Sequence, residues 1–547
     1  MKKVTETQVG MDGLKVEYKR FGVMVCCAGA GAMRVDRVKK FIDVMEKMGY
    51  DLLELCMDDK YKIEDEPFFG YLRGGYTKAE IQEMDEYAKA HGVELVPNIQ
   101  TLAHLSCLVK LPAYSNIVDT GNILLVDEPK TYELIEKMFK SLRESFSTDL
   151  VNIGFDEAHM VGLGRYLDKH GYTNRYELLL RHLNRVVEIA AKYGFKIHMW
   201  SDMFFRLANQ GRYYGEDIEI PQEVVEKVPA NVGLCYWDYG EHEIKEEIYD
   251  AMFTAHEKFS SEIWFAGGVW NWNGFAPQNI FAQHAMLPAF KQARKHGIQN
   301  VLVTIWGDDG NDNSYFVALP SLYALRQYAL GNFDQESIEK GFYETFGVSF
   351  QDFMLLDIPN LNSGNADLKR RECAAKSLLY NDCFLGWKDK ALSDVAPIPF
   401  AEYAEKLWAA GKRVGEEYRF IFDCTAELCY ALDKKAYLGL RTRAAYRKGD
   451  RAELQVLVDD YEEAAKRVQT FGKSFRKLWL KEFRPHGWEV QQARFGGLYA
   501  RIMDCRERII EYLNGEVDSI PELEDDILTY GDIGLQHNSY RGLFTVN

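Results

Sequence analysis

LVNIGFDEAHMVG, residues 150–162, runs an apolar stretch straight into a pair of acids. Its first half is apolar on both sides of a two-residue period, as a strand covered on both faces of a sheet must be. Its second half spells Asp156-Glu157-Ala158-His159, the box that marks a class of RNA helicases. The stretch is an NTPase motif, the acid end of a buried strand, or an accident of sequence, and its surroundings decide between these.

Seven further runs share its first half: GVMVCCAG, DLLELCMDD, VELVPNI, KIHMWSD, VGLCYWDY, IWFAGGVW and VLVTIWGD. Between most of them lie segments with apolar residues at helical spacing, such as VDRVKKFIDVMEKMGY and NRYELLLRHLNRVVEIAAKYG. Doubly covered strands joined by helices indicate a parallel sheet. Eight such units predict an α/β fold, a (β/α)8 TIM barrel, with an open doubly wound sheet as the competing architecture. From Phe333 onward the strand signal stops, and long amphipathic segments such as EYAEKLWAAGKRVGEEYRF take over. The expected organisation is an N-terminal lead-in over 1–20, a barrel over 21–332 and an all-α region over 333–547.

Composition narrows the function. The formal net charge is −17, and no lysine/arginine run forms a basic patch of the kind that phosphate backbones require. A nucleic-acid partner is therefore not expected. The start, MKKVTETQVG, is basic but has no apolar core of a signal peptide, and no apolar run approaches a membrane span. The ten cysteines are scattered without a CxxC pair, which fits reduced thiols in a cytoplasmic protein.

Nucleotide and metal motifs fare no better. A phosphate-cradling loop needs GxxxxGK[ST], but the one Gly472-Lys473-Ser474 has Arg467 where the first glycine belongs, within a helical pattern. GAGAMR, residues 29–34, follows a strand and precedes a helix, yet Arg34 replaces the third glycine of a dinucleotide fingerprint. There is no HxH, HExxH or paired-cysteine spacing. Neither cofactor nor metal is expected.

A barrel builds its active site where strands end. Those positions hold Gln100 and His104, Asp156, Glu157 and His159, Trp200 and Asp202, then Trp237, Asp238 and Tyr239. They continue with Trp270, Trp272, Trp306, Asp308 and Asp309. One tryptophan there would most simply be packing. Several converging with carboxylates suit a sugar, whose C–H face stacks on flat rings while acids bind its hydroxyls. Adjacent strand residues point to opposite faces, so Asp156 and Glu157 share a pocket only where the strand unwinds into its loop. Two close carboxylates also hold a proton more tightly than one, as a general acid requires.

On the motifs EPFFGYLRGGYT, IQTLAHL, IGFDEAHMVGLG, MWSDMFFRL, CYWDYG, GGVWNWNGF and TIWGDDGND, the barrel half resembles glycoside hydrolase family 20, the β-N-acetylhexosaminidases. The likeness is to a bacterial subgroup with a helical domain after the barrel. It implies a retaining exo-hydrolase that removes terminal β-linked GlcNAc or GalNAc, using the substrate's own 2-acetamido oxygen as nucleophile. Glu157 would then be the general acid/base, Asp156 would bind the acetamide N–H, and Tyr239 would hold its oxygen. Trp200, Trp237, Trp270 and Trp306 would wall the sugar, with Asp202 beside them. Asp308 would bind the far hydroxyls, and His104 and His159 would tune the acids. The partner implied is an oligosaccharide or glycoconjugate ending in β-N-acetylhexosamine.

One departure stands out. The family usually follows its first strand with an aspartate and an arginine that grips O3 and O4, whereas this chain has Cys26-Cys27-Ala28-Gly29-Ala30. Arg73 or Arg34 is the candidate substitute. Failing both, the pocket is expected to take a sugar modified at those positions or to bind plain GlcNAc poorly. Two other readings remain open: a sugar-binding barrel without turnover, and a two-carboxylate glycosidase using Asp202, Asp238 or Asp308 as nucleophile. The helical region either buttresses the barrel or forms a homodimer interface.

Overall fold

The computed structural model describes residues 9–240, 243–528 and 535. The first eight residues of the expected lead-in, and 529–534 and 536–547 of the expected helical region, lie outside the described residues. Eight parallel strands close into a barrel: β1 (Arg20–Cys26), β2 (Leu52–Cys56), β3 (Glu94–Asn98), β4 (Leu150–Asn152), β5 (Lys196–Trp200), β6 (Val232–Trp237), β7 (Ile263–Gly268) and β8 (Asn300–Ile305). β8 returns to β1 in parallel register, from Arg20 opposite Asn300 to Val25 opposite Ile305. That closure excludes the open sheet.

The outer ring comprises α1 (Val35–Met48), α2 (Lys78–Ala90), α3 (Pro129–Ser145), α4 (Arg175–Lys192), the short α5 (Asp202–Ala208), α6 (Glu246–His256), α7 (Asn279–Lys295) and α8 (Leu319–Ala329). α1 shows the pattern: Val38, Phe41, Ile42, Met45 and Met48 form a buried stripe at helical spacing, and Gly49 ends the helix in the left-handed region at φ 77°. The strands are shorter at their C-terminal ends than the apolar runs, because the residues that carry chemistry have already left the sheet. The barrel interior holds a polar cluster. The Glu54 carboxylate meets His198 Nε2 at 2.5 Å and accepts hydrogen bonds from Asn98 and Asn152 at 3.0 and 3.3 Å. All four residues are buried, so the charge is compensated where it sits.

After α8 the described chain is helical: α9 (Gln335–Phe346), α10 (Ala374–Tyr380), α11 (Phe400–Arg413), α12 (Arg419–Lys435), α13 (Leu438–Lys448), α14 (Arg451–Glu482) and α15 (Trp488–Asn514), with shorter turns between. The amphipathic run over 402–420 is not one helix. It breaks between α11 and α12, where Gly415 takes φ 80°. Gly472-Lys473-Ser474 lies inside α14, which leaves no loop to cradle a phosphate.

The helical region sits over the loops that follow β1, β2, β7 and β8. Phe275, after β7, enters an aromatic cluster with Phe471, Phe475 and Phe495 at 5.2, 5.2 and 5.9 Å between ring centres. After β1, Met33 bridges to Phe483, and the Arg484 N–H donates to the Ala32 carbonyl at 2.8 Å. Among the described residues no helix is long and apolar enough to cross a membrane, and no group of three His, Cys, Asp or Glu could hold a metal ion. All ten cysteines are free thiols, and all but Cys107 are buried.

Candidate active site

β4 stops at Asn152, and the chain then turns through three left-handed residues: Gly154 (φ 74°), Phe155 (φ 76°) and Glu157 (φ 53°). Gly154 is required twice over. Its φ favours glycine, and a Cβ there would lie 2.1 Å from the Gln100 side chain. Asn152 Oδ1 accepts the Gly154 N–H at 3.0 Å, tying the turn to the polar cluster beneath. Left-handed backbone at Phe155 and Glu157 costs about 1–3 kcal/mol each and persists only where packing enforces it. Here Phe155 is wholly buried, with its ring 5.3 Å from that of His182.

This turn removes the opposition of neighbouring strand residues. His104 Nε2 lies 3.2 Å from Asp156 Oδ2 and 3.6 Å from Glu157 Oε2, so both carboxylates share one imidazole, which is aimed squarely at neither. Gln100 donates to Asp156 Oδ1 at 3.0 Å. Burial opposes charge on His104, but the carboxylates of Asp156, Glu157 and Asp58 outweigh it and lift its pKa to about 10. Burial likewise opposes charge on Asp156, and the His104 imidazolium with the Gln100 amide holds its carboxyl below the usual range.

Asp202 supports the acids from behind. It accepts the Glu157 backbone N–H at 2.9 Å and the Trp237 indole N–H at 3.2 Å. Burial first, then the charge of Asp156, raises its pKa to about 7. Asp238 is turned into its own loop, accepting from the Tyr236 hydroxyl and the Gly240 N–H, each at 2.9 Å.

A tyrosine that the sequence did not single out completes the arrangement. Tyr213, in the loop between β5 and β6, donates its hydroxyl to Glu157 Oε1 at 3.0 Å and lies 2.9 Å from His159 Nε2. His159 thus reaches Glu157 through Tyr213. Burial and the charge of Arg206 lower the His159 pKa to about 4, so the ring is neutral and its Nε2–H can donate to the tyrosine oxygen. Nothing in the periodicity of ANQGRYYGEDIEI marks Tyr213, because its role depends on a fold-back across the barrel mouth.

Aromatic rings form one wall. Trp200 is fully buried and lies 5.8 Å from the half-buried Trp306. Trp237 and Tyr239 stack at 5.3 Å with planes 28° apart. Trp272 meets Tyr239 edge-on at 5.6 Å and stacks on Trp270 at 4.3 Å. Trp270 is 1% exposed and donates its indole N–H to the Tyr239 carbonyl at 2.7 Å, so it backs Tyr239. Gly268 makes room, since a Cβ there would sit 2.6 Å from the Tyr239 ring.

At the end of β1 the Arg73 guanidinium reaches back from the loop after β2. It donates to the Ala28 carbonyl, to Asp59 Oδ1 at 2.8 Å and to Cys107 Sγ at 2.8 Å. Arg34 turns outward, to Asp36 at 2.9 Å and to the Leu480 carbonyl at 3.2 Å on α14. Asp58, whose pKa burial and the neighbouring Cys26 raise to about 8, lies near His104 and Arg73. Asp308 stands exposed after β8.

Acids and aromatic rings thus converge at the strand ends of the barrel, and two family models match the chain. The glycosyl hydrolase family 20 catalytic domain matches residues 32–258, and the glycoside hydrolase 20C C-terminal domain matches 351–539. The chain belongs to glycoside hydrolase family 20. It is 22% identical over 224 residues to a protein of Arthroderma benhamiae named "Probable beta-hexosaminidase", covering 36% of this chain and 34% of that protein. It is 25% identical over 188 residues to Hexosaminidase D of Bos taurus, covering 32% of this chain and 51% of that one. The chain thus spans a third to a half of these relatives' lengths. Solved structures with a similar course include a family 20 exo-β-N-acetylglucosaminidase from Vibrio harveyi, at TM-score 0.47, 15% identity, 63% of this chain and 59% of that one. The chitobiase of Flavobacterium johnsoniae matches at TM-score 0.47 and 15% identity over 93% of this chain and 74% of that one.

Proposed function

We propose that the chain is a retaining exo-β-N-acetylhexosaminidase working by substrate assistance. The observation that carries this reading is the single imidazole of His104 lying within 3.6 Å of both Asp156 and Glu157. Two-carboxylate glycosidases place their acids about 5–9.5 Å apart on opposite sides of the bond. Adjacent acids bridged by one cation suit a different division, in which only one carboxyl handles the glycosidic oxygen. Of the three other nucleophile candidates, Asp202 and Asp238 are engaged by backbone and aromatic donors, which favours this reading over a two-carboxylate one that uses either of them.

In the first step Glu157 donates its proton to the leaving oxygen. The acetamide carbonyl oxygen attacks C1 as the C1–O bond breaks, and an oxazolinium forms. Asp156 accepts the acetamide N–H and stabilises its growing positive charge, with Tyr239 donating to the acetamide oxygen. In the second step Glu157, now a carboxylate, takes a proton from water. That water attacks C1, reopens the ring and leaves the anomer retained. Trp200, Trp237 and Trp306 line the sugar, and Asp308 binds its outer hydroxyls. Arg73 takes the place of the absent arginine after β1, near O3 and O4, although Asp59 and the Ala28 carbonyl already hold part of its fork.

A thiazoline mimic of the oxazolinium tests the mechanism. It should inhibit hydrolysis of an aryl β-GlcNAc competitively and lose most of its affinity in Asp156→Asn. Equal, weak inhibition of both forms would remove the substrate-assisted step.

A further inference from the structure

Three acids lie within five residues after β8: Asp308, Asp309 and Asp312. Only Asp308 stands exposed at the mouth, two residues beyond Trp306. The other two are gripped by the helical region. Lys376, fully buried on α10, places Nζ 2.8 Å from Asp309 Oδ2 and 2.5 Å from Asp312 Oδ2. Gln491 on α15, also fully buried, donates to the Gly310 carbonyl at 2.9 Å and to Asp312 Oδ1 at 2.6 Å. Arg494, one turn along, donates to the Asp309 carbonyl and lies 3.3 Å from Asp309 Oδ1.

The backbone between these anchors is one that a free loop would not keep. Asp309, Gly310 and Asn311 all have positive φ, at 49°, 133° and 56°. Left-handed aspartate and asparagine persist where surrounding contacts over-determine them. A Cβ on Gly310 would fall 2.7 Å from Arg494 and 2.8 Å from Gln491, so the grip closes directly on the backbone. On the barrel side, Asn311 accepts the Gly31 N–H at 2.7 Å and donates to the Tyr315 hydroxyl at 2.7 Å. The segment just after Asp308 is thus bolted to α10, α15 and the loop after β1 together. Without Lys376 the Asp309 and Asp312 carboxylates would face each other and Asp308 with much less compensation.

We infer that the helical domain is part of the sugar site, and that Lys376, Gln491 and Arg494 are positioning residues that fix the loop presenting Asp308 and Trp306 to the substrate. The inference rests on the roles proposed above for those two residues. A purely adhesive contact between domains would change stability and leave sugar recognition alone.

The test compares wild type, Gln491→Leu, Lys376→Met, Asp308→Ala and the Gln491→Leu/Asp308→Ala double variant in the full chain, with KM and kcat for an aryl β-GlcNAc measured per folded molecule. Gln491→Leu is included because it leaves no buried charge and should fold if Lys376→Met does not. Each bolt variant is expected to raise KM about tenfold, the usual effect of losing hydrogen bonds to a charged group, with kcat changed far less. The bolt variant should add little to Asp308→Ala, because both act on one hydroxyl contact. Folded bolt variants with wild-type KM beside a raised KM in Asp308→Ala overturn the inference alone. A wild-type KM in Asp308→Ala overturns the assignment of Asp308, and the bolt with it. A wild-type chain that cleaves no aryl β-GlcNAc fails the functional reading before any variant is compared.

Discussion

His104 Nε2 lies 3.2 Å from Asp156 Oδ2 and 3.6 Å from Glu157 Oε2, one imidazolium spanning two sequence-adjacent acids. The His104 pKa, lifted from 6.5 to about 10 by those carboxylates against the pull of burial, keeps it charged through neutral pH. Its contribution to stability is therefore full below 6.5 and is lost as pH rises through about 10. Asp156 runs the other way. Its folded pKa is lowered from 3.8, so its contribution is present above 3.8 and lost as pH falls through the folded value.

Removing His104 leaves the burial of Asp156 opposed mainly by Gln100. In His104→Ala the acidic limb of kcat against pH should move upward by about one to three pH units, because Asp156 must be a carboxylate to stabilise the acetamide. A pH–rate profile whose acidic limb stays in place would show that His104 does not set the charge of Asp156.

Tyr213 should matter although it is absent from any strand end. Its hydroxyl is a donor to Glu157 Oε1, and Tyr213→Phe removes that bond while keeping the ring packed at a tilt against Trp237, 5.4 Å between centres. A hydrogen bond to a charged group is worth about 1.5–3 kcal/mol, so kcat/KM should fall about 10- to 100-fold. Steady-state kinetics with wild-type values would mean that the contact exists only in the free enzyme.

Glu157→Gln should lower kcat by about 10²–10⁴-fold on alkyl glycosides, whose leaving groups need a proton. The loss should be much smaller on nitrophenyl glycosides, which leave without one. Equal losses on the two substrate types, measured side by side, would contradict an acid role.

Phe275 ties the loop after β7 to the helical domain. Phe275→Ala opens a cavity among Phe471, Phe475 and Phe495 and should cost about 3–5 kcal/mol of stability in equilibrium denaturation. An unchanged denaturation midpoint would show that the cluster refills or contributes little.

The eight strands were legible because runs such as GVMVCCAG and VLVTIWGD are apolar on both faces, a pattern only a doubly covered sheet needs. The acids were legible as a pair, and so was the need for the strand to unwind around them. The left-handed sequence from Gly154 to Glu157 that accomplishes this was not legible, since φ at Phe155 and Glu157 is imposed by packing. Tyr213, and the grip of Lys376 on Asp309 and Asp312, were hidden for a related reason. They join residues 56 and about 65 positions apart, and one-dimensional patterns carry no such pairing. Arg73 was visible as a candidate, but its hold on the Ala28 carbonyl and Asp59 needed coordinates.

The most direct test of substrate assistance is the ratio of kcat/KM for an aryl β-N-acetylglucosaminide to that for the matching aryl β-glucoside, which differs only in lacking the acetamide. If the acetamide is the nucleophile beside Asp156 and Glu157, the first sugar is cleaved and the second hardly at all. Comparable cleavage of both would mean that a protein carboxylate attacks C1, and would contradict the account.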